Sequence, residues 1–165
     1  MQLASVLLVC TGNICRSPMA HALLLQHASR RGMALAVDSA AISDGEQGRP
    51  PDARALAELQ RRGVTMPAHR ARPVRPGDFR RFDLLVGMTH AHCAALRRQA
   101  PPECAHKVRL LLDYSSRHAG REVPDPWYGP QQAFIEVYDL IAAGVEGLLQ
   151  ALGPATRGRI PAACG

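Results

Sequence analysis

The sequence predicts an α/β fold, a single three-layer domain in which a four-stranded parallel sheet is flanked by helices, with an anion-binding loop directly after the first strand. Three observations predict it. Short apolar runs alternate with longer amphipathic segments, strand then helix, along the whole chain, which is the alternation that builds a parallel sheet covered on both faces. The first run, Val6-Leu7-Leu8-Val9-Cys10, is broken by Gly12-Asn13 just before a helix-compatible segment beginning near Ser17-Pro18, so Cys10 stands where a strand ends. A length of 165 residues with 47% hydrophobic content suits one domain with a sizeable core.

The elements follow in order. Ser17 to Arg31 reads as a helix because Met19, Leu23, Leu24 and His27 fall near helical spacing and Gly32 stops it. Leu35 to Asp38 is a short second strand. Pro51 to Arg62 opens with proline at a tolerated first-turn position, carries Leu56 and Leu59 inward, and ends at Gly63. Asp83 to Met88 is the third strand, followed by a helix through about Arg98 that Pro101-Pro102 terminates. Lys107 to Leu112 is the fourth strand. Gln131 to Leu152 places Phe134, Val137, Ile141, Val145 and Leu148 at steps of three and four, so one face packs on the sheet. Residues 1–153 therefore form the domain. The stretch 154–165 has no periodicity and is expected to be a disordered tail.

Composition narrows the function. No run approaches the length of a membrane span, and Met1-Gln2-Leu3 enters the first strand without a basic start or cleavage site; a cytoplasmic protein with no membrane partner is expected. The five cysteines (Cys10, Cys15, Cys93, Cys104, Cys164) are odd in number and irregularly spaced, which argues against a disulfide scaffold and suits a reducing compartment. The net charge of +6 comes almost wholly from arginine, Lys107 being the only lysine. Its basic residues are scattered in pairs at presumed helix ends with few aromatics to stack bases, so a phosphorylated, acidic substrate is preferred over nucleic acid.

Five residues separate Cys10 from Arg16, enough to curl into a ring with backbone N–H groups pointing inward while the next helix aims its positive end at the same place. Thr11, Gly12, Asn13, Ile14, Cys15, Arg16 and Ser17 are the candidate phosphate-binding residues. These donors favour a thiolate at Cys10, which becomes a nucleophile. Arg16 offers a planar fork of donors for two phosphate oxygens. Ser17 can donate its hydroxyl to the thiolate or the leaving sulfur. Asn13 and Gly12 are expected to supply positive φ. No Cys/His cluster with zinc-type spacing completes a metal set around Cys10 and Cys15, and no metal or cofactor is expected. Expelling an alkoxide or phenoxide is helped by a proton donor, and hydrolysing a phosphocysteine needs a base. Asp125, stiffened by Pro124 and Pro126, can serve as both. Trp127 and Tyr128 are expected to wall the substrate pocket, where flat faces favour a phenyl ring.

Val-Cys-Thr-Gly-Asn-Ile-Cys-Arg-Ser-Pro resembles the phosphate-binding loop of the low-molecular-weight protein tyrosine phosphatases. The stretch Asp125-Pro126-Trp127-Tyr128-Gly129 resembles that family's acid loop, and the order, cysteine first and acid far downstream, is similar to the small family rather than the larger tyrosine and dual-specificity enzymes. The resemblance implies hydrolysis of phosphotyrosine in protein substrates, Cys10, Arg16 and Asp125 being catalytic, in a monomer or weak dimer. It also implies that Ser39 and His69 match family residues that hydrogen-bond Asn13 as loop support.

Three positions depart from the family pattern. Gly45 stands where an aromatic is common, His21 where many bacterial members have Glu, and Thr89 follows Met88 where Asp is usual. Three other readings remain beside tyrosine phosphatase: an arginine phosphatase, from which Ile14 departs, since Thr is typical there; a thiol-dependent arsenate reductase, which would need two further cysteines close together; and a non-catalytic phosphoprotein-binding module. Cys15 lies near enough in chain to resolve a sulfenic acid formed at Cys10 by peroxide. Activity lost to peroxide should then return with a thiol reductant in the wild type and less so in Cys15→Ser; equal recovery, with no peptide linking the two cysteines in a mass-spectrometric map, would refute that role.

Overall fold

The computed structural model describes residues 4–153; the expected tail at 154–165 and Cys164 lie outside them. Strands β1 (Ala4–Cys10), β2 (Leu35–Ala41), β3 (Leu84–Gly87) and β4 (Val108–Leu110) form one sheet in the order β2-β1-β3-β4, and every pairing is parallel. Helices α1 (Arg16–Arg30), α2 (Ala53–Arg61), α3 (Asp78–Arg81), α4 (His90–Gln99) and α5 (Gln131–Ala151) connect or follow the strands. None is long and apolar enough to cross a membrane.

Alternation along β1 divides the core. Val6 and Leu8 face a cluster built with Leu23 and Leu24 of α1 and Phe134, Ile141 and Val145 of α5. Leu7 and Val9 face the other side, against Phe79, Phe82 and Leu96. Each such fully buried side chain contributes roughly 1.5–3 kcal/mol of transfer free energy, so the central strand is held from both faces. Its carboxyl end, and Cys10 with it, is consequently fixed.

The structure adjusts several expectations. β2 runs on through Ala41 because Ser39, Ala40 and Ala41 pair with Leu8, Val9 and Cys10; small residues there carry no β-propensity signal. Leu56 is 37% exposed, and Ala55, Glu58 and Leu59 are the buried residues of α2. The expected fourth strand stops at Leu110, and Leu111–Tyr114 form a 3-10 turn; an unbroken apolar run does not distinguish strand from buried helix. Helix α3 is too short to show periodicity and was not expected from the sequence.

That 3-10 turn lies against α5 where the helix has Gly144 and Gly147. A Cβ added at Gly147 would stand 1.9 Å from the Tyr114 carbonyl oxygen, a backbone atom that cannot swing aside. Gly→Ala inside a helix usually gains roughly 1 kcal/mol of propensity, but the clash outweighs it. Gly147→Ala should lower stability by about 1–3 kcal/mol, read as a drop in Tm of roughly 2–4 °C per kcal/mol. An unchanged or raised Tm would show that α5 does not need this approach.

Candidate active site

The loop between β1 and α1 is shaped by bonds to its carbonyl groups. Ile42 N–H donates to Cys10 O at 2.9 Å, Ser43 N–H to Thr11 O at 3.0 Å, Asp52 N–H to Ile14 O at 2.8 Å and Met19 N–H to Cys15 O at 3.2 Å. With these carbonyls tied outward, the Asn13 N–H turns inward to the Cys10 sulfur, and α1 begins at the rim of the loop. Asn13 makes the tight bend, with φ of 59°. Gly12 does not share the positive φ expected of it; what it supplies is space, since a Cβ there would meet Glu46 Cγ at 3.0 Å.

Cys10 Sγ lies 3.0 Å from Ser17 Oγ and accepts from Asn13 N–H at 3.3 Å. The sulfur is thus met by one backbone N–H from the loop and by the hydroxyl of Ser17 in the first turn of α1. Arg16 is 4% exposed; its Nη1 donates to Val123 O at 3.0 Å and its Nη2 stands 3.6 Å from Asp125 Oδ2. The guanidinium and the candidate acid thus meet over the same ring. Asp125 Oδ1 accepts from Trp127 N–H at 3.1 Å, a side-chain turn that fixes the carboxyl between its prolines.

Cys10, Arg16 and Asp125 line a cleft of about 200 Å³ together with Thr11, Gly12, Ile14, Cys15, Gly45, Glu46, Trp127 and Tyr128. Trp127 is half-buried, whereas Tyr128 is 96% exposed at the rim. Gly45 leaves one wall low.

Behind the loop sits a buried polar chain. Asn13 Nδ2 donates to Ser17 Oγ at 2.8 Å, and Asn13 Oδ1 accepts from His69 Nε2 at 2.8 Å and from Arg72 N–H at 3.2 Å. Ser39 does not reach Asn13 directly. Its Oγ lies 3.3 Å from His69 Nε2 and 3.0 Å from His21 Nδ1, so it supports the loop through His69. The departure at His21 thus adds an imidazole to this chain.

Two further residues act on the loops: Arg54, in the stretch Gly48 to Arg54 that resembles the family segment buttressing the loop, and His92, which sequence reasoning missed. Arg54 donates through Nη1 to Trp127 O at 3.0 Å and Gly129 O at 3.2 Å while pairing with Asp52; it braces the Asp125 loop against α2. His92 bonds Thr11 Oγ1 through Nε2 at 2.9 Å, and Thr89, the third departure, caps α4 by accepting from His92 N–H at 3.2 Å. No spacing marks either contact, because both partners are far away in sequence.

Cys15 is buried, and burial, followed by the charges of Asp52 and Cys10, pushes its thiol up to about 12; it is a thiol at neutral pH. Cys10, Cys15, Cys93 and Cys104 are all unbridged. Cys93 and Cys104 pack on the opposite face of the sheet from Cys10, so they offer no thiol relay to it.

Residues 5–157 match the model of the family described as low molecular weight phosphotyrosine protein phosphatase. The low molecular weight protein-tyrosine-phosphatase of Streptomyces coelicolor is 41% identical, covering 93% of this chain and 96% of its own, and the Sus scrofa low molecular weight phosphotyrosine protein phosphatase is 36% identical over 81% and 86%. The crystal structure of YfkJ from Bacillus subtilis superposes with a TM-score of 0.86 at 36% identity, covering 92% of this chain and 96% of that one. The chain belongs to the low molecular weight phosphotyrosine protein phosphatase family.

The buried imidazoles make the fold sensitive to acid. Burial, then the charge of His69, lowers His21 to about 4; burial, then Arg16, lowers His92 to about 4; burial also lowers His69. In the unfolded chain these groups titrate near 6.5, so between those values only the unfolded state takes up protons. Their contribution is complete above about pH 6.5 and is lost as pH falls toward about 4. Tm should accordingly fall by several degrees between pH 7 and pH 5; a flat Tm across that window would contradict neutral, buried imidazoles.

Proposed function

We propose that this chain hydrolyses phosphotyrosine in protein substrates through a phosphocysteine intermediate formed on Cys10. The observation that carries the reading is the convergence of one sulfur, the loop that encloses it, a buried guanidinium and a carboxyl on a single cleft. In the first step the Cys10 thiolate attacks phosphorus as the bond to the phenolic oxygen breaks, and Asp125 donates its proton to that oxygen. Loop N–H groups and Arg16 hold the three equatorial oxygens, over which the charge is spread in the transition state. In the second step the Asp125 carboxylate takes a proton from water, whose oxygen attacks phosphorus; the P–S bond breaks, phosphate leaves, and Ser17 donates a hydrogen bond to the departing sulfur. Trp127 and Tyr128 flank a phenyl ring reaching down to the loop, a depth that favours it over the short stem of phosphoserine.

No cofactor takes part in this reading. Its partners are phosphotyrosine-containing proteins, not nucleic acid or a membrane, and it works as a monomer or weak dimer. Unbridged thiols fit a reducing cytoplasm as its place of action.

Cys10→Ser should lose turnover but keep phosphate or vanadate binding, because the cradle remains; residual activity above about a thousandth of wild type would sink the covalent route. Asp125→Asn should lower the rate on poor leaving groups by roughly two to three decades and spare activated aryl phosphates more. Equal losses on both substrates would move the acid elsewhere.

A further inference from the structure

Behind the phosphate loop, side chains from three separate segments meet: His21 on α1, Asp38 on β2 and His69 on the stretch between α2 and α3. One ligating atom from each lies within 4.8 Å of the others. We propose that these three side chains bind a divalent transition metal ion of the zinc class, at a site distinct from the cleft that holds Cys10.

The hydrogen bonds already in place decide which nitrogens are available. Asn13 Oδ1 can only accept, so His69 Nε2, 2.8 Å away, carries the hydrogen. His69 Nδ1 therefore presents its lone pair, 3.8 Å from Asp38 Oδ1. His21 bonds Ser39 through Nδ1 at 3.0 Å, which leaves Nε2, and its ring stands edge-on to His69 with centroids 5.4 Å apart. Each imidazole is thus anchored by one nitrogen and keeps the other as its ligating atom, the arrangement by which outer partners fix the tautomer of metal-bound histidines.

Distance, charge and access agree with an ion there. Ligand atoms about 2.0–2.2 Å from a tetrahedral zinc ion are separated by roughly 3.4 Å, so the 3.8 Å pair closes by a few tenths of an ångström on binding and the other pairs, none beyond 4.8 Å, by roughly 1.4 Å at most, within reach of side-chain rotation. Arg72 lies close by, but it is shared between Asp38 at 3.0 Å and Asp78 at 2.9 Å; two carboxylates against one guanidinium leave the neighbourhood negative. The Asp38 side chain is 29% exposed, which leaves a route for the ion and a water as fourth ligand. Two imidazoles and a carboxylate select zinc, cobalt or copper over magnesium or calcium, which prefer all-oxygen sets.

An ion at this place pins His69 in the tautomer that donates to Asn13 and so tightens the support of the loop. The inference goes beyond the phosphatase reading and is measured without turnover. Thiolate is a strong competing ligand, so the experiment uses full-length Cys10→Ser, titrated with Co²⁺ by visible absorption and then with Zn²⁺ as displacer. The expected result is one equivalent of Co²⁺ giving ligand-field bands with no sulfur-to-cobalt charge transfer. His21→Gln, added to Cys10→Ser, should weaken binding roughly 10- to 100-fold, with circular dichroism verifying the fold; Asp38→Asn provides a second variant should His21→Gln fail to fold. Sulfur charge transfer in the bound spectrum, absence of saturable binding, or unchanged affinity in a folded ligand variant would overturn the proposal.

Discussion

The loop around Cys10 depends on Asn13. A residue with a side chain in the left-handed region costs roughly 1–2 kcal/mol, and Asn13 holds that conformation at φ of 59° while completely buried. The cost is offset by its amide, which bonds Ser17, His69 and the Arg72 N–H, each such bond contributing about 1 kcal/mol net. A glycine would adopt the same φ freely but would leave the His69 and Arg72 donors buried without their acceptor. Asparagine satisfies both needs at once, and the positions of Ser17 and of the Cys10 sulfur follow from it.

Beyond that residue, rigidity comes from elements that have no chemistry of their own. The central strand is clamped between two apolar clusters, and the backbone after β2 and before α2 ties down the loop carbonyls. Arg54 then carries the constraint across to the acid loop, its guanidinium bonded to backbone oxygens there and lying 4.6 Å from the Phe134 ring centroid. Both halves of the cleft thus rest on the same scaffold. The separation of Arg16 from Asp125 is set by packing rather than by the exposed loop alone.

The alternation of apolar runs and amphipathic segments was enough to read the sheet, because parallel strands buried on both faces and helices with one apolar stripe leave different periods in sequence. Cys10, Arg16 and Ser17 were legible for a similar reason: a strand, a tight turn and a helix start are local features, and they lie within eight residues. What escaped was whatever depends on distant segments. Arg54 and His92 act on loops 73 and 81 residues away, Ser39 needed His69 as intermediary, and the grouping of His21, Asp38 and His69 leaves no spacing signature. Leu56 misled because its helix sits at the edge of the core, where helical period alone does not say which apolar residue is covered. Gly12 misled in another way: its need was room beside Glu46, not an unusual φ.

The account rests on a covalent bond between phosphorus and the Cys10 sulfur. Rapid acid quench of the enzyme during turnover of a phosphotyrosine peptide, followed by peptide mass spectrometry, observes that bond directly. The account predicts one phosphoryl group on the peptide containing Cys10, and, with an activated aryl phosphate whose leaving group needs little help from an acid, further accumulation in Asp125→Asn, where the base for water is gone. A phosphoryl group carried on another residue, or none on Cys10 in a quenched sample that is demonstrably turning over, would contradict it.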